Sequence, residues 1–234
     1  MTAPHIAHAI WQTLRISVPT IWDGLRGSLT PETVDQRLAQ WSGAIVGRAH
    51  IDLKVEGVEH APRGESFVLM SNHQSLYDVP VIYQALHRRI RMVAKSELFQ
   101  VPIWGRAMKN AGFIELHRQD RERSRHALSA SSELLRAGTN IWIAPEGTRS
   151  RDGRLGAFRK GGFHLALESG ARIVPLSIVG TREVLSAESA RIREGCSVKV
   201  TLHAPVDPRD YGEDRKDELV AEVRRRIASA LPLA

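Results

Sequence analysis

The chain carries 10 histidines and 26 carboxylates, but one His–Asp pair stands in a setting that could do chemistry. In Asn72-His73-Gln74-Ser75-Leu76-Tyr77-Asp78 the histidine and the aspartate are five positions apart. On a regular helix that spacing turns about 500°, roughly 140° away from a shared face, so the two cannot pair there. They can pair if His73 stays in a loop and Asp78 lies in the first turn of the next helix. Val79-Pro80 follows Asp78, and proline suits a helix start. Asp78 would then fix the tautomer of His73 through one ring nitrogen, leaving the other to take a proton from a hydroxyl. This is the His–Asp half of a serine-hydrolase triad, with the hydroxyl arriving on the substrate.

A second stretch, Pro145-Glu146-Gly147-Thr148-Arg149-Ser150, offers an anion site. Gly147 permits a tight turn with exposed backbone N–H groups, and Arg149 could grip a phosphate bidentately. Glu146 could orient that arginine or bond an acceptor. Lys95, Arg118 and Lys160 are further candidates for holding an anion; each alone reads equally as a solvated charge. The two motifs together suggest acyl transfer to a hydroxyl on a phosphate-bearing acceptor. The closest histidine pair, His5 and His8, has no acidic residue or third histidine nearby in sequence, so no metal site is expected. The single cysteine, Cys196, excludes an intrachain disulfide and fits a reducing compartment.

Both motifs follow short apolar runs that read as strands, Phe67–Met70 and Ile141–Ala144. Ile51, Leu53 and Val55 alternate as in a half-buried strand. Further strands are expected at Ile90–Ala94, Gly112–Leu116, Ile173–Val179 and Ser197–His203. Helices are expected up to about Leu86, to Lys109 with a break near Pro102, over 122–137, over 158–169 and over 214–231. This alternation predicts an α/β fold with a largely parallel central sheet flanked by helices. His73, Lys95, Arg118, Glu146, Arg149 and Arg182 each lie just beyond a predicted strand. In a parallel sheet they would converge on one basic crevice. Residues 1–47 read as an N-terminal amphipathic helical pair and 48–234 as the α/β domain. The first helix, Ile6 to Leu25, is expected to be interrupted at Pro19. Thr30-Pro31-Glu32 starts the second, with Thr30 as cap. Trp11, Trp22 and Trp41 lie in these helices, which could lie in a membrane interface or pack on the main domain.

The net charge of +7 is uneven. Leu86–Arg125 holds ten basic and four acidic residues, against five and six over Met1–His60. Such a field favours a phosphate, a phospholipid surface, an acidic carrier or nucleic acid. No recognition helix or RNA-binding signature supports nucleic acid. No run of apolar residues is long enough to span a membrane, and no basic residue precedes Arg15 to mark a signal peptide. The expected place is the cytoplasmic face of the cell membrane, bound peripherally.

Asn72-His73 with Asp78, and Pro145 through Ser150, resemble signature blocks of the glycerolipid acyltransferases, in particular the lysophosphatidate acyltransferases. Gly112-Phe113-Ile114-Glu115-Leu116-His117-Arg118 resembles the block ending in an arginine that contacts the acceptor phosphate. Ile173-Val174-Pro175-Leu176-Ser177-Ile178 resembles the proline-containing strand block. The likeness spans about Val68 to Val179, and the N-terminal helices resemble the family's membrane-associating pair. The resemblance implies transfer of a fatty acyl chain from a thioester, on coenzyme A or acyl carrier protein, to lysophosphatidate. His73 would be the base and Asp78 its orienter, and Asn72 belongs to the same block. Arg118, Glu146, Gly147, Thr148 and Arg149 would form the acceptor site. Neither a bound cofactor nor a metal is implied. Glu115 stands where the family usually has a large apolar residue, which leaves glycerol 3-phosphate or a lyso-ornithine lipid open as acceptor. A non-catalytic lipid-binding relative is the remaining alternative.

Overall fold

A computed structural model of the chain describes residues 2–117, 120–189 and 191–232. Helices α1 (Thr2–Leu25) and α2 (Pro31–Arg48) come first. Thr30 caps α2 by accepting the Thr33 N–H at 3.2 Å, and Pro31 takes the first turn, where its missing N–H costs nothing. Contrary to expectation, Pro19 does not interrupt α1. The helix packs against α2 and α5 (Trp104–Asn110), and these contacts hold it continuous through the proline.

Seven strands are described: β1 (Asp52–Glu56), β2 (Val68–Ser71), β3 (Ile90–Lys95), β4 (Ile114–Leu116), β5 (Asn140–Ile143), β6 (Ile173–Val179) and β7 (Ser197–Leu202). Their spatial order is β1-β7-β6-β2-β5-β3-β4. Strands β2 to β6 run parallel to one another. β7 runs antiparallel to β6, and β1 is parallel to β7, so these two strands are reversed. Among the described residues, the connection from β6 to β7 carries only the one-turn helix α9 (Thr181–Val184). With no longer helix to lay across a face, the chain turns back beside β6.

The central strands β2, β5 and β6 are buried on both faces, as strands inside parallel sheets are, whereas β1 and β7 leave alternate residues exposed. Phe67, Leu69, Trp142, Val174, Leu176 and Ile178 pack with α2 and α3 (Asp78–Leu86) on one side. Val68, Met70, Ile141, Ile143 and Ile173 pack on the other with α8 (Gly161–Ser169) and α10 (Lys216–Ala228). Strand residues thus alternate between two cores with the period of the pleat. α4 (Ser96–Phe99) and α5 join β3 to β4.

The helix expected over 122–137 divides into α6 (Arg121–Ala130) and α7 (Ser132–Arg136). At the junction the Ser131 hydroxyl donates to the Ala127 carbonyl at 2.6 Å, a side-chain bond that competes with the helical ladder. α8 begins at Gly161, later than its apolar pattern suggests. The Gly156 and Arg159 N–H groups are drawn instead to Glu146 and the Pro145 carbonyl, at 2.8 Å each.

Candidate active site

His73 lies in the loop after β2, and Asp78 is the first residue of α3. This is the one placement that their spacing allows for a pair. His73 Nδ1 donates to Asp78 Oδ2 at 2.6 Å. Asp78 is fully buried, and its carboxylate is saturated. Oδ2 also accepts the Gln74 and Ser75 N–H groups at 2.8 and 2.9 Å, and Oδ1 accepts the Thr181 hydroxyl at 2.5 Å. A buried carboxylate with this many donors is held firmly in position. His73 Nε2 makes no hydrogen bond with any described residue, and the side chain keeps 20% of its surface open. The edge of the Trp142 ring meets the imidazole at a centroid distance of 6.0 Å. Trp142 is itself pinned by its Nε1–H to the Ser71 hydroxyl at 2.9 Å.

Glu146 joins the two motifs. It is buried, with Oε1 accepting the His73 N–H at 2.9 Å and Oε2 accepting the Gly156 N–H at 2.8 Å. Burial raises its pKa, opposed by these two backbone bonds and by the nearby imidazole. The Ser150 N–H returns to the His73 carbonyl at 2.7 Å, so the loops after β2 and β5 are locked edge to edge. Gly147 has φ +71°, a backbone conformation that favours glycine; a Cβ there would meet only the movable end of the Arg159 side chain. The arrangement can fix one imidazole tautomer and leave its other nitrogen unbonded among the described residues, at the strand ends where the second motif also lies.

Comparison with known proteins places this geometry. The family model described as Acyltransferase matches residues 52–179, more than half of the 234 residues. The chain belongs to the acyltransferase family. It is 35% identical over 182 residues to the chloroplastic 1-acyl-sn-glycerol-3-phosphate acyltransferase of Arabidopsis thaliana, covering 77% of this chain and 49% of that protein. It is 33% identical over 162 residues to the human 1-acyl-sn-glycerol-3-phosphate acyltransferase alpha, covering 67% and 56%. The chain spans about half the length of the first of these relatives, as the 49% shows. The crystal structure of the 1-acyl-sn-glycerophosphate acyltransferase PlsC from Thermotoga maritima superposes with TM-score 0.74 at 26% identity, covering 98% of this chain and all of that one.

The remaining candidates fall into four groups. Lys95, at the end of β3, is exposed, and Arg149 is half-buried; neither side chain is bonded to any described residue, and Thr148 is exposed beside Arg149. Lys160 is tied by an ion pair to Asp217 in the first turn of α10. Asn72 is buried: its Nδ2 donates to the Ile178 carbonyl and its Oδ1 accepts the Ile178 N–H, each at 2.8 Å. That places Asn72 between β2 and β6, where it holds the loop and offers no open contact to a ligand. Arg118 lies outside the described residues. Glu115, read as a departure near the acceptor, faces Lys109 at 3.5 Å, which offsets its charge locally, and His117 at 3.7 Å. His5 turns to Glu194 and His8 to the Ala44 carbonyl.

Sequence reasoning missed Thr181 and Ser75. Thr181 sits after β6 and holds Asp78; Ser75 donates to the Leu185 carbonyl at 2.7 Å and stiffens the same loop. Thr181 was within reach, because Gly180-Thr181-Arg182 closes a predicted strand on the same sheet edge. Ser75 gave no signal, since its partner is 110 residues away.

Proposed function

We propose that this acyltransferase moves a fatty acyl group from a thioester to the free hydroxyl of lysophosphatidate, with acyl-coenzyme A or acyl carrier protein as co-substrate. The observation that carries the reading is the 2.6 Å His73–Asp78 bond, which leaves Nε2 of the part-exposed imidazole open to a substrate hydroxyl. Nε2 takes the hydroxyl proton as the oxygen attacks the thioester carbonyl. The C–S bond then breaks, and the imidazolium returns the proton to the departing thiolate. Asp78 stabilises the imidazolium and keeps the tautomer. Arg149, Thr148 and the Gly147 turn, with Lys95 and Arg118, supply the anion-binding surface for the acceptor phosphate. No bound cofactor enters this chemistry.

The same reading puts the protein on a membrane surface through α1. That helix is built inside out. Its inward side holds His5, Gln12, Ser17 and Thr20, all buried. Ile6, Ile10, Trp11, Leu14, Val18, Trp22 and Leu25 are exposed. A polar side buried against α2 and α5 and an apolar side turned to solvent fit an apolar neighbour, and the lipid interface is the one proposed. Among the described residues no helix is long and apolar enough to cross a membrane.

The deciding experiment follows thiol release from palmitoyl-coenzyme A, and separately from palmitoyl-acyl carrier protein. Lysophosphatidate, glycerol 3-phosphate and a lyso-ornithine lipid are offered in turn. Turnover with lysophosphatidate that falls by about 10²–10⁴-fold in His73→Ala, with unchanged thermal stability, is the expected result. Turnover that survives in His73→Ala would overturn the assignment of the base, and preference for another acceptor would replace lysophosphatidate.

A further inference from the structure

A cavity of about 580 Å³ opens beside α9, on the β6 side of the sheet edge that carries His73. Arg182, Arg191 and Arg193 line it together with Ser186 and Glu194. None of the three guanidiniums is paired with a carboxylate among the described residues. Arg182 donates instead to the Arg151 carbonyl at 2.9 Å, and Arg191 and Arg193 offer free side chains. Glu194 is drawn away, with one oxygen 2.8 Å from the His5 ring nitrogen and the other bonded to His50 at 3.1 Å. Glu183 also lines the cavity, at the exposed start of α9. Unpaired arginines gathered in a concavity form an anion site, because each guanidinium presents a fork of donors to a phosphate.

The wall of this cavity is fastened to the reacting centre. Thr181, next to Arg182, bonds Asp78 at 2.5 Å, and Ser75 bonds Leu185 at 2.7 Å. Arg182 also reaches across to the loop that follows the Glu146 turn. A ligand held here is therefore held at a set distance from His73.

The strand order divides the basic residues. His73 follows β2; β6 flanks it on one side, and β5, β3 and β4 lie on the other. Lys95 and Arg149 follow β3 and β5, whereas Arg182, Arg191 and Arg193 follow β6. Two anionic substrates that meet at one imidazole need separate cationic anchors, or their charges repel. We propose that the β6-side cavity receives the phosphate at the end of the pantetheine arm of the thioester donor, leaving the β5 side to the acceptor phosphate. That phosphate is common to both donors, as one half of a pyrophosphate in coenzyme A and as a phosphodiester in a carrier protein's prosthetic arm. The inference rests on the thioester chemistry proposed above.

The test is the double variant Arg191→Glu/Arg193→Glu in the full chain. Both positions are exposed and neither side chain is bonded, so the fold should be untouched. Binding of free coenzyme A is measured by calorimetry, and KM is measured for palmitoyl-coenzyme A, for palmitoyl-acyl carrier protein and for lysophosphatidate. Expected is a rise of about tenfold or more in the coenzyme A Kd and in both donor KM values, the loss of about 1.4 kcal/mol of charge-assisted binding. The lysophosphatidate KM and kcat should stay as in the wild type, and Arg191→Lys/Arg193→Lys should recover most of the donor affinity. Unchanged donor binding, or an equal rise in the lysophosphatidate KM, overturns the proposal. An effect on the carrier protein alone also overturns it, because the arginines would then read the carrier's acidic surface. Should the wild type bind coenzyme A through these arginines yet release no thiol, the reaction assignment fails and the cavity assignment stands.

Discussion

At the scale of single residues, Asp78 concentrates more of the site than His73 does. Four donors converge on its two oxygens: the imidazole, two backbone N–H groups and a threonine hydroxyl. Asp78→Asn keeps one acceptor oxygen and sets an amide N–H against buried donors. It is expected to lower kcat strongly and to cost about 1–3 kcal/mol of stability, the penalty of unsatisfied buried groups. Thermal unfolding alongside thiol release checks both, and an active, fully stable Asp78→Asn protein would refute the role given to the carboxylate. The sequence made the His73–Asp78 pairing legible, because five-residue spacing excludes one helix and permits a loop-plus-cap. It could not show that Asn72 turns away to Ile178, since that bond spans 106 residues.

At the scale of elements, α1 has the clearest consequence. Its exposed apolar side chains contribute little to folding and, on the proposed reading, much to lipid contact. Ile10→Asp and Trp11→Ser together should change unfolding stability by no more than about 0.5 kcal/mol, as surface substitutions do. They should also remove most of the protein from floating vesicles; flotation equal to that of the wild type would exclude α1 as the membrane contact. At the other end of the chain, hydrogen bonds from Arg225 and Arg226 hold the Glu222 carboxyl down to about 2, below the ordinary 4.5. A depressed folded pKa stabilises above the ordinary value and is lost as pH falls from there toward 2. Glu222→Gln should therefore flatten the acid limb of the Tm–pH curve between those values. At neutral pH its cost should be about 0.5 kcal/mol per exposed pair. An acid limb identical to the wild type's would show that α10 gains nothing from this pair.

Across the whole molecule, a net charge of +7 meets substrates and a surface that are all anionic under the proposed function. Long-range attraction then speeds encounter, and salt screens it. kcat/KM for the acyl thioester, and binding to vesicles of anionic lipid, should both fall as ionic strength rises, while binding to neutral vesicles should change much less. Salt-independent turnover and binding would mean that the excess charge serves solubility alone.

The sequence by itself determined what local rules govern. Period-two runs and turn residues marked the strands, Thr30 and Pro31 marked the start of α2, and strand-end motifs gathered His73, Glu146 and Arg149 on one edge. These are effects of neighbours in the chain, so they can be read from the chain. Tertiary structure decided what depends on partners far away. It kept α1 continuous through Pro19, reversed β1 and β7, and split the helix at Ser131. It also spent both oxygens of Glu146 on backbone N–H groups of two different loops. The inside-out burial of α1 belongs here too. Periodicity shows that a helix has an apolar side, but not whether that side or its polar opposite meets the protein. That outcome is set by the hydrogen bonds and packing available on α2 and α5, which exist only once the chain has folded.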